Sequence, residues 1–427
     1  MPQLPSSSLW ANTAAPDVHA AALTGAVSAD VLIVGAGFTG CAAALALAQR
    51  GVRVTVLEGK TVGWGASGRT GGQVIPGLKY DPDELEAMFG SDLGSRMVAA
   101  AGGVGDEVFG LIDRHSISCD AQRKGWLQPA YSTKSLDLAL RRCDSWKRRG
   151  ADVTPVDRSR MAQLLGTDHY LGGWEDRRAG HVQPMSYVRG LASAAQRYGA
   201  VIHTQSPALS LTKSGAKWRV KTPNGTAEAD QVLIATNGYT EGLWPGLSRT
   251  VVPMMSYQAA TVPIPEALGK SILIAGHAAS DTRRLLWYFR RDAHGRLIMG
   301  GRAPYREDLG ADDDNYVRTA VNRLYPQLVN TPFEFHWAGR VAMTQDHIPH
   351  LNQLDTGLWA ALGYNGRGVG MATLLGRLLA DLASGVAPKD IPFPVTSMRP
   401  IFGYPFTRLV ARVLVSYYRV RDELEAA

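Results

Sequence analysis

Two hydrophobic regimes share this chain of 427 residues. Near its beginning and end, short unbroken apolar runs alternate with segments of helical period. Through its middle, strand-like runs and long loops mix. Residues 31–34 (Val-Leu-Ile-Val) predict a buried parallel strand. Residues 41–50, rich in Ala and Leu and stopped by Gly51, predict a helix, and 52–57 predict a second strand ending at Glu58. This is one βαβ unit. Residues 83–150 are helical in pattern, broken by a strand-like stretch near 125–131. Pro184 opens a helix through Tyr198, closed by Gly199, and 201–203 form a short strand. Residues 217–221 and 226–229 meander about an Asn224-Gly225 turn, and 232–238 are a buried strand running into a turn. Within 249–335, residues 287–290 and 297–302 predict a hairpin around 293–295. Residues 358–362 return to a short apolar strand, followed by a glycine-rich 363–370 and a helical 371–382. Residues 1–28, rich in Pro, Ser and Ala, read as a surface arm.

The alternation predicts an α/β protein. A discontinuous, doubly wound nucleotide-binding domain (28–82, 151–245 and 336–400) is interleaved with an antiparallel-sheet domain (83–150 and 246–335), and 401–427 form a C-terminal helix. Composition narrows the class. Hydrophobic residues at 45% and charged residues at 19% exclude a disordered chain. The net charge of +7 comes from scattered basic residues, mostly Arg, with no Lys-rich arm, so nucleic acid is not expected as a partner. Cys41, Cys119 and Cys143 have neither metal nor disulfide spacing, as expected in a reducing compartment. With no signal-peptide pattern and no apolar run of about 18 residues, a cytoplasmic protein is expected. His347 and His350 lack a third ligand, so no metal site is expected.

The chemistry begins at Gly35-Ala36-Gly37-Phe38-Thr39-Gly40, between the first strand and its helix. Gly35 makes the turn, Gly37 lets backbone approach a pyrophosphate, and Gly40 lets helix pack on strand. The helix N-terminus offers N–H groups to phosphate. Glu58, 18 residues past Gly40, can accept from ribose hydroxyls, which argues against a 2′-phosphate and so against NADP. The motif does not choose between NAD and FAD. Two further glycine-rich segments, 65–72 and 363–370, could cradle the isoalloxazine ring of FAD.

The run Gly63-Trp64-Gly65-Ala66-Ser67-Gly68-Arg69-Thr70-Gly71-Gly72-Gln73 resembles the G-x-G-A-S-G-R-N-G-G-Q segment of FAD-dependent amine and amino-acid oxidases of the D-amino-acid oxidase superfamily, in particular the γ-glutamylputrescine oxidase type. Gly180-His181-Val182-Gln183-Pro184 resembles its G-H-x-x-P, Tyr364-Asn365-Gly366-Arg367-Gly368-Val369 its Y-S-G-H-G-V, and 416–424 its ending. The resemblance spans about 30–425. It implies oxidation of a C–N bond of an amine or secondary amino acid by FAD, with O2 as acceptor and hydrolysis of the imine to carbonyl plus amine. It implies that Gly65, Ala66, Ser67, Arg69, Gly71, Gly72, Gln73 and Gly238 join Gly35, Gly37, Phe38, Thr39, Gly40 and Glu58 around the cofactor. Gly366, Arg367, Gly368 and Val369 would face the N1/C2=O end of the ring. No Cys or His lies in 65–72, so the flavin is expected to be non-covalent. The hairpin forms the floor of the substrate cavity in similar enzymes, which makes Tyr288 and Arg302 the leading pocket residues.

Arg340, in Trp337-Ala338-Gly339-Arg340, departs from the W-x-G-L-R-P segment of related glycine oxidases by one residue and the missing Pro. It still points to a substrate bearing a carboxylate. The alternatives are a γ-glutamylated polyamine substrate and a dehydrogenase passing electrons to membrane quinone. For the latter, the basic amphipathic stretch 408–414 would suit a membrane surface, although packing on the flavin domain is the favoured reading.

Overall fold

A computed structural model describes residues 8–302 and 311–426. The first sheet holds nine strands among these residues. From one edge inward, Val201–His203, Val54–Leu57, Gly25–Val34, Gly225–Ile234 and Leu358–Leu362 run parallel. These are the unbroken apolar runs of the sequence, as expected for strands covered on both faces. Helix Phe38–Ala48 is buried along almost its whole length, because its small side chains let helices Pro184–Arg197 and Gly368–Ala383 close over it. A side chain at Gly376 would collide with the carbonyl of Thr39, so glycine permits that approach.

Among the described residues the second sheet has eight strands, in the order Phe333–Met343, Val252–Thr261, Leu297–Arg302, Tyr288–Arg291, Ala278–Ser280, Trp126–Pro129, Gly172–Asp176 and Val153–Asp157. Its pairs are antiparallel except that of Ala278–Ser280 with Trp126–Pro129. A second hydrophobic cluster, including Tyr257, Phe289, Met299 and Tyr325, packs against this sheet. Two layers of different strand sense, joined by several chain crossings, give the interleaved α/β architecture.

Several elements depart from the sequence reading. Residues 8–28 are not a surface arm. Ser8 caps a short helix, Leu9–Thr13, in which Leu9 and Trp10 are buried. The Trp10 indole donates to the Thr70 carbonyl (2.8 Å) and meets Trp337 edge-on, centroids 5.7 Å apart. The small polar composition of the segment concealed one large anchor. The first strand begins at Gly25, and the meander strand continues unbroken through Gly225–Ile234, because the two pair in register from Gly25↔Gly225 onward. Strands Val153–Asp157 and Gly172–Asp176 lie in the second sheet, where 151–245 had been assigned to the first. Helix Thr133–Lys147 is a crossover within this sheet, since Trp126–Pro129 before it and Val153–Asp157 after it both run antiparallel to Gly172–Asp176 between them. Helices Pro82–Gly102 and Val104–His115 pack on Gly368–Ala383 rather than on the second sheet, burying Met97, Val104 and Val108 there. Strand Phe333–Met343 pairs with Val252–Thr261, so the second sheet continues through 343 rather than ending at 335.

The C-terminal helix, Thr407–Ala426, does not pack along the first domain. Its end docks on the second sheet's loops through Asp422 and Glu425. Among the described residues no helix is long and apolar enough to cross a membrane.

Candidate active site between the two sheets

A cavity of about 1250 Å3 runs from the C-terminal ends of the parallel strands across one face of the second sheet. That position, outside the carboxyl ends of parallel strands, is where such folds bind ligands. The volume exceeds the usual range for one small molecule.

At the first-sheet end, Gly35 turns with φ +106° and helix Phe38–Ala48 starts at Gly37. A Cβ at Gly37 would lie 2.8 Å from Ser67 Oγ, which itself accepts from the Phe38 N–H at 2.9 Å. The glycine-rich loop therefore caps the helix that the first motif opens, a coupling the spacing of neither motif reveals. Glu58 accepts from the N–H groups of Ala36 (2.9 Å) and Lys60 (2.8 Å). Burial raises its pKa against the pull of those bonds. Two N–H groups do not exhaust a carboxylate, so Glu58 can still accept from hydroxyls. Thr39 Oγ1 lies 2.6 Å from the Tyr364 hydroxyl, tying this helix to the third glycine-rich segment. There Asn365 adopts φ +51° and fixes the loop with its side chain, accepting from Thr344 N–H and donating to the Gly363 carbonyl. A Cβ at Gly366 or Gly368 would meet nothing within 4 Å. Both border open cavity at the start of helix Gly368–Ala383, where N–H groups lack helical partners.

Loop 63–73 is held from behind. Arg290 donates to the carbonyls of Gly71 (2.7 Å) and Val182 (2.8 Å) and to His181 Nδ1 (3.1 Å), with its guanidinium 4.7 Å from the Trp10 ring centroid. Because arginine only donates, His181 Nδ1 accepts, and His181 Nε2–H donates to the Gly276 carbonyl. His181 is thus a buried neutral imidazole whose pKa burial and Arg290 hold well below its ordinary value. It locks the loop and does not line the cavity. Arg69 donates from Nε to the Trp64 carbonyl and lies over the Trp64 ring. Gln73 accepts from Ser280 Oγ and donates to the Ala279 carbonyl.

On the second sheet, strand register assembles the opposite wall. Tyr288 faces Gly300, Gly300 faces Gln258, and Gln258 faces Trp337; one step along, Arg302 faces Ser256 and Ser256 faces Gly339. Paired residues project from one face, and i and i+2 share it. Gly300 is required here because any Cβ would collide with the Tyr288 ring. The Tyr288 hydroxyl is 2.7 Å from Ser256 Oγ. Gln258 Nε2 donates to the Arg69 carbonyl, leaving Oε1 buried and with no hydrogen-bond partner among the described residues. Burial lowers the pKa of Arg69, Arg302 and, most strongly, Arg367. None of the three has a carboxylate within ion-pair distance among the described residues.

Of the residues singled out in the sequence, Gly35, Gly37, Phe38, Thr39, Glu58, Gly65, Ala66, Ser67, Arg69, Gly71, Gln73, Gly366, Arg367 and Gly368 line the cavity with Tyr288, Arg302 and Arg340. Gly40, Gly72, Gly238 and Val369 do not. Gly40 abuts the Gly35 carbonyl, Gly72 the Val182 carbonyl, Gly238 the Arg340 backbone, and Val369 is buried in its helix. Arg302 and Arg340 do not converge. Arg340 pairs in register with Met255 and Arg302 with Ser256, which places them on opposite faces of the sheet. Arg340 lies over Tyr239, 5.0 Å from its ring centroid. His347 lies beside Lys79 and His350 beside Asp346. Ser256, Gln258 and Tyr418 escaped the sequence reading, although Met254, Ser256 and Gln258, all on the cavity, do alternate along their strand.

These features fit a flavin dinucleotide: an acidic acceptor beside the first motif, glycines opening onto the cavity at the third, and an orphaned acceptor, Gln258 Oε1, between the second motif and Tyr288. Comparison with known proteins agrees. The model of the FAD dependent oxidoreductase family DAO matches residues 30–382. The probable oxidoreductase OrdL of Haemophilus influenzae is 32% identical over 408 residues, covering 94% of each chain. The gamma-glutamylputrescine oxidoreductase of Escherichia coli is 32% identical over 414 residues, covering 94% of this chain and 95% of its own. Among solved structures, glycine oxidase from Geobacillus kaustophilus superposes with TM-score 0.73 at 22% identity, over 88% of this chain and 100% of that one. L-amino acid deaminase from Proteus myxofaciens gives 0.74 at 17% identity, over 90% and 96%. The chain belongs to the DAO family of FAD-dependent oxidoreductases.

Proposed function

We propose that this chain oxidises the C–N bond of an amine or amino acid that carries a carboxylate, and that Arg302 holds that carboxylate. The supporting observation is the half-buried Arg302 guanidinium, on the cavity wall beside Tyr288 and Ser256 and without a carboxylate partner among the described residues. A partly desolvated cation without a counter-ion is costly in the free protein, and an anionic ligand offsets that cost. FAD, when bound, supplies the acceptor for the two electrons and the hydrogen removed from carbon. In this reading, Glu58 holds ribose hydroxyls, the N–H groups at the starts of helices Phe38–Ala48 and Gly368–Ala383 receive negative charge, and Arg69 and Arg367 add fixed positive charge. Tyr288, Ser256 and Arg302 fix the substrate, and Gln258 Oε1 accepts a hydrogen bond from whatever N–H the bound ligands present. No side chain need remove a proton if the amine arrives neutral. The substrate becomes an imine, and water converts it to carbonyl plus amine. With FAD in place, O2 would be the final acceptor, taking the two electrons and two protons to become H2O2.

A substrate whose carboxylate lies remote from the oxidised carbon, as in a γ-glutamylated polyamine, is the second reading. It is favoured by the Escherichia coli relative and by Lys79, a further cation on the cavity wall. Anaerobic mixing of the FAD-loaded protein with a panel of amines, amino acids and γ-glutamyl amines tests both. Bleaching of the flavin by carboxylate-bearing amines is expected. Bleaching only by amines without a carboxylate would refute the proposal, and peroxide formation on admitting air tests the acceptor.

A further inference from the structure

The C-terminal helix is anchored through its last turns. Asp422, buried, accepts from the Leu285 N–H (3.0 Å) and pairs with Arg284 (2.9 Å), and Glu425 pairs with Arg284 at 2.8 Å. Tyr418, one turn before Asp422, lines the cavity, as does Arg284. Away from this anchor the helix turns apolar side chains to solvent. Leu409, Val413, Leu414, Tyr417, Val420 and Leu424 are all exposed, Leu409 and Val413 at 62% each. At about 100° per residue they share one stripe about 140° wide. Phe402 and Phe406, just before the helix, are exposed as well. An apolar stripe of this length left in water marks a surface that something covers.

Charge indicates what covers it. From 391 to 421 the chain carries Arg399, Arg408, Arg412, Arg419 and Arg421 and no Asp or Glu; the helix's acids follow at 422, 423 and 425, where Arg284 takes Asp422 and Glu425 and Arg421 also pairs with Glu425. A second copy seated on the same face would bring two arginine-rich segments together with only Glu423 of each left to balance them. Lipid phosphate is complementary to both features, since apolar side chains enter the acyl boundary while arginines meet headgroups. We propose that the outward face of helix Thr407–Ala426, with Phe402 and Phe406, lies on an anionic lipid surface. The helix axis is in the plane of the interface and the cavity wall formed by Tyr418 and Arg284 sits next to the bilayer.

Vesicle flotation of the full-length, FAD-loaded protein tests this, with phosphatidylcholine vesicles made with or without about 30% phosphatidylglycerol. The protein is expected to float with the anionic vesicles, to remain behind with the neutral ones, and to be released by added salt. L409E/V413E is expected to lower partitioning by about a hundredfold while keeping its bound flavin and elution volume. Val420→Glu serves as an independent variant should the first lose flavin. Failure of the wild-type protein to float with anionic vesicles would overturn the proposal. So would equal binding by wild type and variants, or a dimer in gel filtration that L409E/V413E converts to monomer.

Discussion

At the first-sheet end of the cavity the lining groups are backbone N–H groups, glycine faces and one carboxylate, all fixed by the local path of the chain. At the second-sheet end they are long side chains, Tyr288, Arg302, Ser256 and Gln258, brought together by register between strands far apart in sequence. The ends also differ in how charge is treated. Off the cavity, the buried Arg290 spends its donors on the Gly71 and Val182 carbonyls and on His181, and Arg178 pairs with Asp176. On the cavity wall, Arg283 pairs with Asp281 and lies 3.9 Å from the Trp287 ring centroid. On the same wall, Arg69, Arg302 and Arg367 have no carboxylate partner among the described residues. A cation whose charge its neighbours meet belongs to the fold, whereas one on the cavity wall without a carboxylate partner would, in the proposed reading, receive a ligand that brings the opposite charge.

Substitutions can break this contrast. The largest effect is expected from Gly40→Val, whose side chain would collide with the Gly35 carbonyl. It should cost more than about 4 kcal/mol, seen as loss of the cooperative thermal transition and of co-purifying FAD. Gly368→Ala, where a Cβ meets nothing within 4 Å, should leave the apoprotein's melting temperature unchanged and weaken only FAD binding. Arg283→Met should destabilise the protein by about 3–5 kcal/mol in urea titration, because it strands buried Asp281. Arg302→Met should leave stability unchanged or raise it.

Two pH effects refine the same picture. Burial raises the Glu58 pKa, so this group favours the folded apoprotein below its unfolded pKa and loses that contribution as pH rises through the folded value. FAD hydroxyls would donate to the ionised form. Affinity for FAD should therefore weaken on acidification from about pH 8 to about pH 5, and Glu58→Gln should bind weakly with a flat pH profile by fluorescence titration. The smallest effect concerns the paired region. His169 accepts from Arg283, and burial together with that cation lowers its pKa from 6.5 to about 4. Stability from this neutral imidazole is present above pH 6.5 and lost as pH falls toward 4. His169→Gln should flatten the melting temperature over that interval.

The first-sheet end was legible in the sequence because its requirements are local. Gly35, Gly37, Gly40 and Glu58 sit at fixed offsets from one strand and one helix, and the apolar runs beside them read directly as buried strands. The hairpin also read correctly from its two strand-like runs and the turn between them, whereas the choice of Tyr288 and Arg302 as pocket residues came from the family resemblance. Three features were not legible. Trp10 lies in a segment whose composition resembles a linker. The coupling of Ser67 to the Phe38 N–H joins two motifs across a tertiary contact. The separation of Arg302 from Arg340 depends on both strands' register with Val252–Thr261, which no local pattern specifies.

The central claim is that Arg302 recognises a substrate carboxylate. Anaerobic flavin reduction, followed by stopped flow, would compare wild type and Arg302→Met on the best amino-acid substrate and on the matching amine without its carboxylate. A charged hydrogen bond of about 1.5–3 kcal/mol predicts roughly a ten- to hundredfold rise in the half-saturating concentration of the amino acid. The account also predicts little change for the amine and a smaller change in the limiting rate. Equal losses on both substrates, or none on either, would contradict it.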